Sequence, residues 1–250
     1  MTILAIFVIV FSLVQLLVAV VNLIFSQRLP ETPHFQSLVS VLIPARNEAN
    51  NIRNLLNDLI TQEYRNIEII VFNDQSTDNT ANIVEEIAAK DARVTLLQSA
   101  GLPDGWLGKN HGCHQLADHA KAMYLNFLDA EVRISGNIIS QTLGFSEKHN
   151  LGLFSVFPRQ VMENPGEKMT VPVMNYILLT LLPLVLVRLT RLASLAAANG
   201  QFMLFHAEIY KQTLPHKKMK ADKVEDIKIA RFYKSESINT ACLSSKPDIS

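Results

Sequence analysis

Cysteine is scarce in this chain of 250 residues: Cys113 and Cys242 are the only two. So few thiols exclude a disulfide scaffold and suit a reducing compartment. An excess of charge of either sign is also missing, with 23 basic and 23 acidic residues. Nucleic-acid binders carry a basic excess, so that partner class is set aside. Internal repeats and low-complexity tracts are absent, which removes solenoid and compositionally biased architectures. Lys and Arg are missing from the start of the chain, the first being Arg28. A cleaved signal peptide, the rival reading, needs a basic start, a shorter apolar run and a small-residue cleavage site, so this start favours an anchor.

What is present is apolar. Hydrophobic residues make up 48% of the chain. Residues 3–25 contain no charge, and only Ser12, Gln15 and Asn22 are polar. At about 1.5 Å per residue such a helix spans a hydrocarbon core about 30 Å thick. Residues 1–27 are therefore expected to be a transmembrane anchor in the cell membrane, and 28–37, with Pro30 and Pro33, a linker. Arg28 on the C-terminal flank puts residues 38–250 in the cytoplasm by the positive-inside rule. A domain of that size buries a core without disulfides.

Within 38–250, apolar runs bounded by turn residues predict strands at 38–43, 67–72, 94–97, 123–128, 151–157 and 238–243. Helical spacing predicts helices over 52–60, from Thr77 or Asp78 to about 89, and over 111–122. Gly and Pro make 101–108 a loop. Strands alternating with helices imply an α/β fold with a mostly parallel sheet flanked by helices. Ligands of such sheets bind beyond the C-terminal strand ends. The polar clusters at 44–48, 73–76 and 129–131 all fall there. A second apolar stretch, 169–191, is interrupted by Pro172, Asn175 and Pro183. Spanning would carry the later residues across the membrane, so it is expected to lie in the interface with Arg188 and Arg191 at the headgroups. A buried core helix is the alternative.

Asp129 and Glu131 stand two apart at a strand end, so both side chains share a face. Mg²⁺ and Mn²⁺ prefer oxygen ligands, and Mg²⁺ takes one or two carboxylates plus substrate phosphates. A metal–diphosphate clamp fits; a solvated turn is the plain alternative. In 73–78, helix capping accounts for Thr77 and Asp78 but does not need Asp74, which can accept a hydrogen bond from a nucleobase. His111 and His114 flank Cys113, but no second ligand pair stands at zinc spacing. The basic run 216–223 reads either as a contact for anionic headgroups or as a solvated loop. Trp106 reads either as a stacking platform or as loop packing.

The segments VSVLIPARNEANNI, IIVFNDQSTDNT, GWLGKNHGCHQLA and YLNFLDAEV, in that order, resemble glycosyltransferase family 2. Within it the chain most resembles the branch that includes carotenoid- and hopanoid-associated enzymes, through Gly105-Trp106-Leu107-Gly108-Lys109. The resemblance runs from about residue 39 to 234. It implies a GT-A fold, Rossmann-like, and inverting transfer from a nucleotide sugar, a UDP-sugar, with Mg²⁺ or Mn²⁺, to a lipid or isoprenoid acceptor. It implies that Pro44, Arg46, Glu48 and Asp74 line the nucleoside pocket. Lys109 would sit near the diphosphate, and Asp129 and Glu131 would hold the metal. Residues 199–202 would face the acceptor. Asp226 would act as the base, with Glu225 orienting the acceptor or itself the base. The acidic first turn of a helix explains the same two carboxylates by the macrodipole alone. Glu131 departs from the usual Asp, and Asn73 from a common Asp. Two other functions stay open: a non-catalytic nucleotide-sugar-binding membrane scaffold, and a polyprenyl-phosphate sugar synthase.

Overall fold

The chain starts with an apolar helix, α1 (Thr2–Ile24), followed by a layered α/β body. The computed structural model describes residues 1–25, 29–30, 36–158, 165–244 and 249. Most of the expected linker, and Arg28 with it, lies outside these.

Four parallel strands form one half of the sheet. They are β1 (Val39–Ala45), β2 (Ile67–Asn73), β3 (Val94–Gln98) and β4 (Tyr124–Leu128). Between them run α2 (Ile52–Thr61), α3 (Thr80–Ala88) and α4 (Gly108–His119). The register pairs Val39 with Ile67 on one side and with Tyr124 on the other. Strands β1, β2 and β4 read as mostly apolar runs, with Ser40, Glu68 and Asn126 inside them, because both sheet faces are covered there. Val39, Val41 and Ile43 join one core layer and Leu42 the opposite one. Helix α2 contributes Ile52, Leu55, Leu56 and Leu59, all fully buried. That spacing is one face of a 3.6-residue period.

The second half departs from strict alternation. Its elements are α5 (Ile138–Lys148), β5 (Leu153–Phe157), α6 (Pro165–Leu181), α7 (Leu184–Leu189), β6 (Phe202–His206), α8 (Ala207–Thr213), α9 (Pro215–Lys218), α10 (Glu225–Ser235) and β7 (Thr240–Ser244). The strand order is β3-β2-β1-β4-β6-β5-β7. Strand β6 runs antiparallel to both β4 and β5, while β7 is parallel to β5. The sheet is thus mostly parallel, as expected, with one reversed strand inside it.

Strand β6, helix α5 and the short helices α8 and α9 were not legible in the sequence. Strand β6 is a five-residue apolar run, too short for its period to show. Helix α5 hides its period because Ser140, Thr142 and Ser146 are buried with its apolar residues. Helix α4 starts at Gly108, earlier than the expected 111, which puts Lys109 in its first turn.

Helix α1 is long and apolar enough to cross a membrane. The second apolar stretch divides at Pro183. Helix α6 exposes Met169, Val173, Tyr176 and Ile177, whereas Leu184 and Val187 of α7 are buried in a small core with Cys242.

Candidate active site

The ends of β1 and β2 are stitched before any ligand is considered. Asn47 and Gln75 both take positive φ, 58° and 55°. Asn47 Oδ1 accepts the Thr77 N–H at 2.8 Å, and Ser76 Oγ accepts the Asn47 N–H at 3.0 Å. Asp78 accepts the N–H of Thr80, the start of α3, and that of Ala49 across the gap. Asn73 is used structurally: its side chain bonds Gln98 and the Ser76 N–H. Asp74 joins this stitching only through its backbone, whose N–H donates to Ala45 O at 2.9 Å. Its carboxylate turns instead toward α4, where a Cβ on Gly108 would lie 2.6 Å from Asp74 Oδ2. Only glycine permits that approach. The buried carboxylate lies at the positive end of the α4 dipole, with Arg46 Nη1 3.6 Å away.

Beyond these strand ends lies a cavity of about 340 Å³, lined by Pro44, Ala45, Arg46, Glu48, Phe72, Asp74, Gly108, Lys109, Asp129, Ala130 and Glu131. Pro44, Arg46, Glu48, Asp74, Lys109, Asp129 and Glu131 are all brought together here. Phe72 and Ala130, at the ends of buried strands, could have been found from strand position alone; no signal marked Gly108 as contacting Asp74.

A second cavity of about 620 Å³ adjoins the first. Lys109 and Asp129 line both. Its far side is apolar, with Phe157, Pro158, Ile177, Leu178, Ala198 and Ile227, and its near side carries Glu225 and Asp226. Lys109 Nζ lies 2.8 Å from Asp129 Oδ1 and 2.9 Å from Oδ2, and 3.7 Å from Glu225 Oε1. Asp226 accepts the backbone N–H of Gly200 at 3.0 Å and that of Ile227 at 2.7 Å. A Cβ on Gly200 would stand 3.2 Å from Lys109 Nζ, so this glycine keeps the common wall thin. Gln201 reaches from the same segment to donate to Glu131 Oε1 at 2.8 Å.

Two carboxylates thus flank one ammonium, and Glu131 and Asp226 lie close enough to Asp129 to act on it. Burial by itself would lower the Lys109 pKa, but Asp129, Cys113 and Glu225 overcome it and hold it above the ordinary lysine value. Burial pushes Asp129 up; Lys109 opposes that shift, while Glu131 and Asp226 add to it. Burial also raises Glu225, against the pull of Lys109. The negative surplus and the all-oxygen donors of Asp129 and Glu131 suit a hard divalent cation. Among the described residues, no group of three or more His, Cys, Asp or Glu is gathered for a metal, so substrate oxygens would complete the shell.

The remaining motifs are structural in this fold. Trp106 stacks on His114 with ring centroids 5.4 Å apart and meets His111 edge-on at 5.6 Å. The run 216–223 is not a free basic loop. His216 is buried beside Phe127, with the Tyr210 hydroxyl 2.6 Å from Nδ1. Lys220 O accepts the Leu107 N–H, and the Met219 and Asp222 carbonyls accept from Asn110. The segment therefore clamps the start of α4.

A family model described as Glycosyl transferase family 2 matches residues 40–214. A 4,4'-diaponeurosporenoate glycosyltransferase of Staphylococcus haemolyticus is 33% identical over 134 residues, which are 53% of this chain and 35% of that protein. The protein of the same name from Staphylococcus aureus (strain USA300) is 34% identical over 126 residues, 49% of this chain and 32% of its own. The chain matches about a third of the length of these curated relatives. Among solved structures, a mannosyltransferase from Pyrobaculum calidifontis, PcManGT in complex with GDP-Man and Mn²⁺, superposes with a TM-score of 0.69 at 17% identity. That likeness covers 94% of this chain and 65% of that one. TarS 1–349 of S. aureus in complex with UDP gives 0.59 at 18% identity, covering 85% and 59%. At these identities the likeness establishes the GT-A type of fold.

Proposed function

The chain belongs to glycosyl transferase family 2, and from that premise we propose that it moves a sugar from a nucleotide-sugar donor to the hydroxyl of a lipid or isoprenoid acceptor, with inversion and metal assistance, at a membrane. One observation carries this reading: two cavities of different character share the wall made by Lys109 and Asp129. A polar cavity at the strand ends suits a nucleotide sugar. An apolar one beside α6 suits a greasy acceptor. Their shared wall is where the leaving diphosphate and the attacking hydroxyl would meet. The names of the similar proteins, acting on a carotenoid acid or bound to GDP-Man or UDP, support the same pairing. Helix α1 supports a membrane anchor.

In this reading Pro44, Arg46, Glu48 and Asp74 hold the nucleoside. Asp129 and Glu131 would hold Mg²⁺ or Mn²⁺, whose charge stabilises the leaving diphosphate. Lys109 adds a second cation at the leaving group. The acceptor oxygen attacks the anomeric carbon from the face opposite the diphosphate. As the bond to the diphosphate breaks, Asp226 takes the hydroxyl proton. Asp226 is suited to this because two backbone N–H groups fix its orientation and leave lone pairs free. Glu225, committed to Lys109, is suited to positioning that ammonium.

The test is a panel of nucleotide sugars screened by thermal shift with Mn²⁺ or Mg²⁺, followed by donor turnover. Asp129→Ala is expected to lower metal-dependent turnover by about a hundredfold or more. Unchanged turnover in that variant, or a metal-independent wild type, overturns the metal assignment. Lys223 on the rim of the second cavity favours one further reading, a polyprenyl-phosphate acceptor. A polyprenyl phosphate and the matching alcohol offered side by side decide between them.

A further inference from the structure

Gln15 and Asn22 are two turns apart on α1. They share its half-buried stripe with Val18, Ala19 and Val21, while the rest of the helix is largely exposed. The stripe lies against α6. Gln15 Oε1 accepts from the Tyr176 hydroxyl at 3.1 Å. Asn22 makes three bonds. Its Nδ2 donates to Leu179 O at 2.8 Å and to Leu182 O at 2.9 Å, and its Oδ1 accepts the Leu184 N–H at 2.8 Å.

Those three backbone groups are the ones that Pro183 strands. In an unbroken helix the amide of residue 183 would bond to Leu179 O, but proline has none. Leu186 N–H turns to Pro183 O at 2.9 Å and so deserts Leu182 O. The Leu184 N–H lies past the break, at the first turn of α7. Stranded groups of this kind are costly where water cannot satisfy them. One asparagine amide, a double donor and an acceptor, replaces the bonds that the break removes. Just before the break, Ile177 and Leu178 of α6 line the second cavity.

We propose that Asn22 is a positioning residue whose amide splices α6 to α7 across Pro183 and thereby fixes the cavity wall that receives the apolar part of the acceptor. The cavity's role rests on the function proposed above; the splice itself does not. Asn22→Leu inserts into a bilayer at least as readily as the wild type, but it cannot bond the broken backbone. Pro183→Ala returns the missing N–H to Leu179 O. The full chain is compared in phosphatidylcholine–phosphatidylglycerol vesicles, bearing Gln15→Cys and Tyr176→Cys for disulfide trapping and without them for kinetics and binding. Asn22→Leu is expected to cut trapping severalfold and to raise KM for a long-chain polyprenyl alcohol about tenfold, the effect of one or two membrane hydrogen bonds. UDP binding with Mn²⁺ is expected to stay unchanged. Adding Pro183→Ala to Asn22→Leu is expected to restore trapping and KM. Trapping that Asn22→Leu leaves intact, or a loss that Pro183→Ala does not restore, overturns the splice. If the wild type glycosylates no alcohol, the acceptor reading fails, while trapping and its rescue still decide the splice.

Discussion

Lys109 is the residue on which both cavities turn. It touches Asp129, which lines both cavities, and approaches Glu225, which lines the second. Composition and periodicity give no hint of this; only the ordered motif around Gly108 singled it out. Glu225 and Asp226, read from position alone, were equally well explained as an acidic first turn, and the fold separates their surroundings. Glu225 is buried and near an ammonium, so its ionisation has a visible consequence. Burial raises its pKa, and the pair with Lys109 exists only above that raised value. Activity is therefore expected to climb with pH through a limb set above the ordinary glutamate value of about 4.3. Glu225→Gln is expected to flatten that limb in the pH profile of kcat, leaving the part set by Asp129, whose pKa burial also raises.

At the level of elements, the start of α4 shapes the first cavity. The helix opens on Gly108 because Asp74 occupies the space a side chain would need. Gly108→Ala isolates that contact. Alanine is the better helix former by about 1 kcal/mol, so the helix itself is not weakened. The new methyl displaces the Asp74 carboxylate, and nucleotide affinity is expected to drop about tenfold. Calorimetry with UDP and Mn²⁺ measures the loss, and an unchanged melting temperature shows that the fold is kept. The strand–helix alternation through β4 was readable because each strand is a mostly apolar run followed by turn or polar residues. The reversed β6 was not, because direction within a sheet leaves no mark on a five-residue strand. The basic run 216–223 misled for a related reason. A histidine among lysines looks solvated, yet His216 is the buried end of an aromatic cluster.

Over the whole molecule, that burial links folding to pH. His216 is held neutral, and burial lowers its pKa to about 3. The unfolded chain takes up a proton near pH 6.5, so between those values the unfolded state binds more protons than the folded one. Stability therefore falls as pH drops from about 6.5 toward 3, and is fully present above that window. His216→Gln, neutral throughout, is expected to flatten the slope by about one proton in pH-dependent unfolding of the full chain. A slope unchanged by the substitution removes His216 from the linkage. The same scale joins α1 to the body. An apolar stretch with two amide side chains reads as an anchor, and those amides turn out to bond α6.

The sequence by itself determined the class of fold, the edge on which the polar clusters converge, and the apolar helix at the start of the chain. These depend on local period, on strand-end position and on hydropathy, all of which are properties of contiguous residues. The tertiary structure alone decided what those residues meet. The end of β4, the start of α4 and the first turn of α10 are far apart in the chain, and only the folded sheet brings Asp129 and Glu131, Lys109, and Glu225 and Asp226 to two adjoining cavities. The bond from Asn22 to a break at Pro183 has the same origin. No local pattern encodes a partner 160 residues away, because that pairing exists only once two helices pack.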